Sequence, residues 1–292
     1  MRRQEPLRGE EPVCGEESVC GEESLRGQEP LRREVMAPFP APSAAASLLS
    51  EGAPAPDLAD YLPKLEELDL TTRRALLQAG REALECRRVL SRVGLNVVGE
   101  VLRGQGEFVE MEHYPRDDVF DAGTGAQYYY HTHRGELEHG HFHTFLRAAG
   151  MPEGVAPLSF PRAAEAWPAG DEAISHLIAI SMDAWGEAIG LFACNRWVTG
   201  ETWYPAEDVI RMLDRFLIDH AWPSWPTNRW IGAMLRLYRP WIEGLLWHRD
   251  AVIAVHFNER PHEDVFEDRS LEITGYLPVS VHHLVAALDK GV

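Results

Sequence analysis

Five of the chain's 13 histidines fall between His131 and His143, in the run Tyr128-Tyr-Tyr-His131-Thr-His133-Arg-Gly-Glu-Leu-Glu138-His139-Gly-His141-Phe-His143-Thr-Phe145. Imidazole nitrogens beside a carboxylate are donors for a divalent cation, and iron or zinc suits that mixture. Residues two apart on a strand share a face, so His131 and His133 point together, as do His139, His141 and His143. The segment from Arg134 to Glu138 contains Gly135 and suits a hairpin loop. Two registers are open. If His133 pairs with His139, then His131 faces His141 and Tyr129 faces His143, with opposed Cβ atoms roughly 5 Å apart. A slip of one residue instead gives His131 and His133 a common face with Glu138, the two-histidine, one-carboxylate set of non-haem iron sites and some zinc enzymes. A competing assignment starts a helix at His139 and caps it at Gly150; His139 and His143 then share a face and His141 does not. The candidate metal ligands are therefore His131, His133, Glu138, His139, His141 and His143.

Such side chains need a rigid support. Alternation predicts strands over 107–114, where Val109 and Met111 alternate with Glu110 and Glu112, and over 127–133, 139–145, 175–182 and 188–195. Pro115 to Asp118 and Ala122 to Gly125 read as turns, and the residues from Asp183 to Glu187 as a hairpin loop. Helical spacing dominates 57–103, through Leu76, Leu77, Ala83, Leu84 and Leu90, until Gly94 breaks it. It returns from Pro205, through Val209, Ile210, Met212, Leu213, Phe216 and Leu217, and again over 228–255, punctuated by Pro240. Residues 271–281 read as extended, before a short final helix. Strands in the middle with helices on either side argue for an α+β fold around a central antiparallel sheet, not a βαβ succession. No GxGxxG or Walker loop is present to cradle a nucleotide.

Other chemistry-bearing residues have plainer explanations. Asp117, Asp118 and Asp121 read as turn formers, and Tyr128 and Tyr130, on one face of their strand, as core. Arg196 and Trp197, in the run from Asn195 to Glu201, are equally suited to a ligand-contacting loop and to a structural turn. His248-Arg-Asp250 matches a kinase catalytic loop only by chance, because the partner asparagine and the Gly-rich loop are missing. His176, His220, His248 and His256 could each complete a site from a distance.

The bulk numbers narrow the partners. A formal net charge of −18 disfavours nucleic acid, since phosphate binding needs clustered Lys and Arg. Composition, 45% hydrophobic and 25% charged, is that of a globular chain. Four scattered cysteines make no disulfide framework, and no apolar run could serve as a signal peptide or span a bilayer, so the expected location is the cytoplasm, without membrane partners. Residues 3–32 repeat a hexad, RQEPLR, GEEPVC, GEESVC, GEESLR and GQEPLR, with one aliphatic residue per repeat beside Gly, Glu and Pro. Such a segment cannot offset its ordering entropy and is expected to be disordered. Met36 then opens a Pro/Ala linker and reads as the natural start. The six basic and nine acidic residues before it leave −15 on residues 36–292. The expected organisation is a tail and linker over 1–56 and one α+β domain over 57–292.

Three resemblances bear on the histidine run. Gly125, five residues, His131-Thr-His133, four residues and Glu138 resemble the first motif of the cupin family, which implies a cupin-like sheet and a metal held by those three side chains. Phe145 stands where cupins place a glycine, and no second cupin motif follows. His139-Gly-His141-Phe-His143-Thr-Phe is similar to the motif of the histidine-triad nucleotide hydrolases, which implies His141 as a nucleophile toward phosphorus; Gly140 and Thr144 depart from its aliphatic positions. The pair EHGHFH and NRWVTGE resembles an uncharacterised bacterial domain-of-unknown-function family, which implies no activity. The sequence thus favours a mononuclear iron or zinc site that oxidises or hydrolyses an unidentified small molecule. A triad-type nucleotide hydrolase or transferase is the runner-up, and a non-enzymatic metal- or partner-binding protein the third class.

Overall fold

The computed structural model describes residues 56–291. The hexad repeat, the Pro/Ala linker and Met36 lie outside the described residues. Asp69 opens the first long helix, α1 (Leu70–Ser91), by accepting from the amides of Thr71 and Thr72 at 2.8 and 3.0 Å. Leu76, Leu77, Ala83 and Leu90 give it one buried stripe, and Gly94, at φ 72°, turns the chain away after it. Asn96 caps the short helix α2 (Val97–Leu102) through the Gly99 amide.

Six strands follow: β1 (Tyr114–Phe120), β2 (Ala126–His131), β3 (Gly140–Arg147), β4 (Ile174–Met182), β5 (Ala188–Cys194) and β6 (Ile273–Pro278). Each pairs antiparallel with the next, giving one sheet in the order β1-β2-β3-β4-β5-β6. Between β5 and β6 lie α3 (Arg196–Thr199), α4 (Ala206–Leu213), α5 (Trp225–Leu237) and α6 (Arg239–Glu259); α7 (Val281–Gly291) follows β6. The fold is α+β. Its strands form a meander, whereas a cupin jelly roll needs two Greek keys, so the cupin-like option gains no support. No helix among the described residues is long and apolar enough to cross a membrane.

One expected element is displaced. No strand forms over 107–113; Met111 is exposed, at φ 69°. The first strand instead uses Pro115 to Asp118, the residues read as a turn. β1 pairs only with β2, and a proline is tolerated on such an edge because no neighbour needs its missing N–H. Asp118, at φ 51°, falls within a register shift between Tyr114 and Val119, so a turn-like residue is absorbed as a bulge. Pro240 likewise does not punctuate one helix but sits in the first turn of a separate one, α6.

The main core lies between one sheet face, carrying Tyr128, Tyr130, Phe142, Leu146, Ile178, Ile180 and Leu191, and the surrounding helices. Tyr128 and Tyr130 share that face as expected, and the Tyr128 hydroxyl donates to Asn228 Oδ1 at 2.6 Å. The opposite face carries Gln127, Tyr129, Phe145 and Phe192 together with histidines of the hairpin.

Candidate metal centre

The register of the β2–β3 hairpin decides which histidines meet. Tyr129 pairs with His143, Tyr130 with Phe142 and His131 with His141, the first of the two alternatives. His131, His141 and His143 therefore stand on one face, all buried. His131 Nε2 and His141 Nε2 are 2.7 Å apart, and the His143 ring centroid lies 5.1 and 4.7 Å from those of His131 and His141. Donor nitrogens of the three lie within 4.8 Å of one another.

The loop end of the hairpin departs from ideal alternation. The chain enters β3 at Gly140, where a Cβ would stand 2.5 Å from the His131 carbonyl oxygen and 2.6 Å from Tyr130 Oη. Ahead of it His139 turns to the helix-covered face, where Nδ1 hydrogen-bonds Tyr130 Oη at 2.7 Å and the ring stacks on Phe108. The expectation that His139 shares a face with His141 and His143 is therefore corrected. Glu138 takes its place: Oε1 meets His141 Nδ1 at 2.5 Å, and Oε2 accepts from the Ser181 hydroxyl. Arg134 approaches the same carboxylate at 3.9 Å and lies over the Phe192 ring at 4.8 Å. His133 stays at the rim, half-buried, its ring centroid 4.9 Å from His131 and 5.0 Å from His141. Glu138 is thus behind His141, not beside His131 and His133 as the slipped register required.

Two residues from other strands join. His143 Nδ1 lies 2.9 Å from His176 Nε2, and His176 Nδ1 lies 3.7 Å from Cys194 Sγ. A bulge makes this possible. Thr144 pairs with Ile178 but Phe145 pairs with His176, so Leu177 is an extra residue in β4. Without it His176 would alternate with Ile178 and Ile180 into the helix-covered core; the bulge turns it to the histidine face. The sequence alone does not rank His176 above His220, His248 and His256. Those three sit elsewhere: His220 near the Phe120 carbonyl, His248 against the Pro56 carbonyl, and His256 beside Arg260. Cys194, which reads from the sequence only as a strand cysteine, and His113 and Ser181, which carry no sequence signal, also belong to this face; His113 stacks on Tyr129 at 3.5 Å between centroids.

Burial disfavours protonation of His131, His133, His143 and His176. Burial, then repulsion from His141, His133 and His113, pushes His131 down to about 2. Burial drives His143 well below the ordinary histidine value and, with Arg249 and His141, lowers His176 to about 3. Burial lowers His133 as well and raises the Cys194 thiol. Burial alone would raise Glu138, but the His141 hydrogen bond, the charges of His141 and Arg134 and the Ser181 hydroxyl outweigh it and hold the carboxyl below its usual range. Glu201 is pushed up to about 7 by burial, against the pull of Arg249, the His176 amide and the Thr199 hydroxyl.

A family model described as a domain of unknown function, DUF6969, matches residues 77–279. The chain belongs to that family. No curated protein and no solved structure matches it. The DUF6969 match spans both EHGHFH and NRWVTGE, and the fold brings the two runs together. In this DUF6969 chain Glu201, closing the second run, accepts from the His176 amide at 2.5 Å, and His176 in turn meets His143 of the first. The rest of NRWVTGE is structural. Asn195 caps α3 and donates to the Val265 carbonyl, Arg196 pairs with Glu267, and Trp197 Nε1 donates to the Leu271 carbonyl. Asp121 clamps a turn by accepting from Gly123, Thr124 and Asp219, and Asp250 accepts from the Ala206 amide. Among the described residues this face offers buried histidine groups that could hold a metal ion.

Proposed function

We propose that this face is a mononuclear metal centre in which His131, His141 and His143 bind one ion, with zinc the best fit, and that it hydrolyses or hydrates a small molecule. One observation carries the reading. His141 presents Nε2 to His131 while its Nδ1 is held by Glu138, itself held by Ser181; the His143 Nδ1 is held by His176, and its buried Nε2 has no partner. A metal-bound histidine characteristically gives its other nitrogen to a carboxylate or a second polar group, which fixes the ring. An orphaned buried nitrogen costs free energy that a cation would recover.

The fit is close. Two zinc–nitrogen bonds of about 2.0–2.1 Å at a tetrahedral angle place the nitrogens roughly 3.3 Å apart. From 2.7 Å, the His131 and His141 nitrogens need to part by about 0.6 Å. Three neutral imidazoles leave an ion its full charge, which is what lowers the pKa of a bound water in catalytic zinc sites. The two-histidine, one-carboxylate arrangement that favours iron has less support, since Glu138 lies behind His141. The triad-type nucleotide reading also weakens: His139 faces away, and both nitrogens of the fully buried His141 are engaged. Free, buried Cys86 and Cys194 suit a reducing compartment, so the proposed location is the cytoplasm.

His133 favours a second reading, a closed and non-enzymatic centre, because its ring lies about as close to His131 and His141 as theirs do to His143. Metal analysis of purified protein separates the two. His131→Ala and His141→Ala should each lose the ion, and Glu138→Gln should weaken binding by roughly 10–100-fold. His133→Ala keeps the ion if the fourth position belongs to water and loses it if the centre is closed. A parent protein that takes up neither zinc nor iron overturns the proposal.

A further inference from the structure

The same face holds a second group of donors that the three-histidine centre does not use. One nitrogen each from His143 and His176 and the sulfur of Cys194 lie within 4.8 Å of one another, all buried. They come from adjacent strands: His143 on β3, His176 on β4 by way of the Leu177 bulge, and Cys194 on β5. Cys194 shares its face with Phe192, which pairs with Ala179, the partner of His143. The three donors therefore converge because of the register and not because flexible side chains happen to meet.

We infer that His143, His176 and Cys194 form a second cation position, for a thiophilic transition ion such as zinc or copper, sharing His143 with the first. The inference uses the His143 ring of the proposed centre but rests on its own donors. Two imidazoles and a thiolate are a borderline-soft set that selects such ions over magnesium or calcium. Binding displaces the thiol proton to solvent, so that thiolate replaces thiol as the ligand, and when both positions are filled His143 bridges them as an imidazolate, its ring proton also leaving to solvent. The 3.7 Å between Cys194 Sγ and His176 Nδ1 is close to the separation, about 3.6 Å, of a sulfur and a nitrogen bound tetrahedrally to one zinc. His143 Nδ1 faces His176 Nε2, whereas the Cys194 contact is made by the other nitrogen of the His176 ring. His176 thus gives the ion one nitrogen and the His143 ring shifts to join it; all three donors lie within 4.8 Å, and His143 Nε2 is left unpartnered for the first centre.

The surroundings hold these donors in place. Glu201 fixes the His176 backbone amide at 2.5 Å, and Arg249 lies 4.0 Å from the Trp203 ring and donates to the Tyr204 carbonyl at 2.7 Å. Arg249 is paired with Asp250 at 2.7 Å and also attracts the Glu201 carboxyl, so the nearby buried cation already has its counter-charge and the ion is left to balance the thiolate. The fully buried part of the NRWVTGE run thereby acquires a role: Glu201 is a positioning residue for His176.

Cobalt(II) serves as the probe, because a thiolate ligand gives an intense near-ultraviolet charge-transfer band that imidazole ligands do not. The full chain, stripped of metal and titrated with cobalt, is expected to take up two equivalents and to show that band. Cys194→Ser should abolish the band and one equivalent, whereas His131→Ala should abolish the other equivalent and keep the band. A single equivalent with the band, lost in Cys194→Ser and retained in His131→Ala, still supports this site while refuting the three-histidine centre. A single equivalent without the band, insensitive to Cys194→Ser, overturns this inference and leaves the three-histidine centre standing. No uptake overturns both. The parent spectrum decides the matter even if a variant fails to fold, and circular dichroism identifies such a variant.

Discussion

Acidifying the metal-stripped protein should unfold it before the pH reaches the ordinary carboxylate range. His131, His143 and His176 are neutral in the fold, at about 2, far below the usual value and about 3 respectively, against 6.5 for the unfolded chain. Each contributes stability that is fully present above 6.5 and is lost as the pH falls toward its folded value, because only the unfolded chain then takes up the proton. Glu201 acts in the opposite sense. Its folded value of about 7 exceeds the ordinary 4.5, so its contribution is complete below 4.5 and is lost as the pH rises toward 7. Between those limits three protons favour unfolding and one opposes it. At about 1.4 kcal/mol per proton per pH unit, stability falls by about 3 kcal/mol for each unit near pH 5.5. That is a large part of the roughly 5–15 kcal/mol of an ordinary domain. His133 and His248, also lowered mainly by burial, act in the same direction. Urea unfolding in chelator, followed by tryptophan fluorescence at pH 7, 6 and 5, measures the slope, and His131→Gln should reduce it by about one proton's worth. A midpoint that does not move between pH 7 and 5 refutes the neutral, buried histidine face.

Other outcomes follow from single contacts. His139→Ala should leave metal uptake unchanged, since the ring stacks on Phe108 on the other face, and equal loss in His139→Ala and His141→Ala by elemental analysis would contradict that placement. Gly190→Ala puts a Cβ 2.1 Å from Tyr276 Oη and should cost roughly 1–3 kcal/mol in denaturant unfolding, with a wild-type midpoint the contrary result. Tyr128→Phe strips the buried Asn228 Oδ1 of its hydroxyl donor and should cost about 1–3 kcal/mol without affecting metal content. With a net charge of −18, gel shifts at physiological salt should show no submicromolar nucleic-acid binding.

Much of this site could be read along the chain, because its central donors are local. Strand alternation put His131, His141 and His143 on one face, and only the register needed the structure. Glu138 and His139 were exchanged because the chain abandons alternation at the loop end of the hairpin, where Gly140 permits an approach no other residue would. His176 and Cys194 could not be ranked: one depends on an extra residue in β4, the other on strand pairing some 50 residues beyond the hairpin. Turn chemistry misled at Pro115 to Asp118, since proline and aspartate mark turns in general yet also fit a bulged edge strand. The helical regions were legible because their apolar spacing is long and Gly94 ends the first, but the Asp69 cap and the helix start at Pro240 were not read, since proline is as much a first-turn residue as a breaker.

The meander has a kinetic consequence. From β1 to β5 each strand bonds to its predecessor in the chain, so that part of the sheet can zip from one strand to the next, and only β6, beyond four helices, must come from a distant segment. His131, His141 and His143 lie within one of those hairpins, and closing a loop of about ten residues takes about 10–100 ns. His176 and Cys194 arrive only when β4 and β5 have docked, and α6 brings Arg249 later still. The three imidazoles are thus available to a cation on a nascent or partly folded chain, before the fold that buries them is complete, and an ion captured then would act as a nucleus for the rest of the sheet.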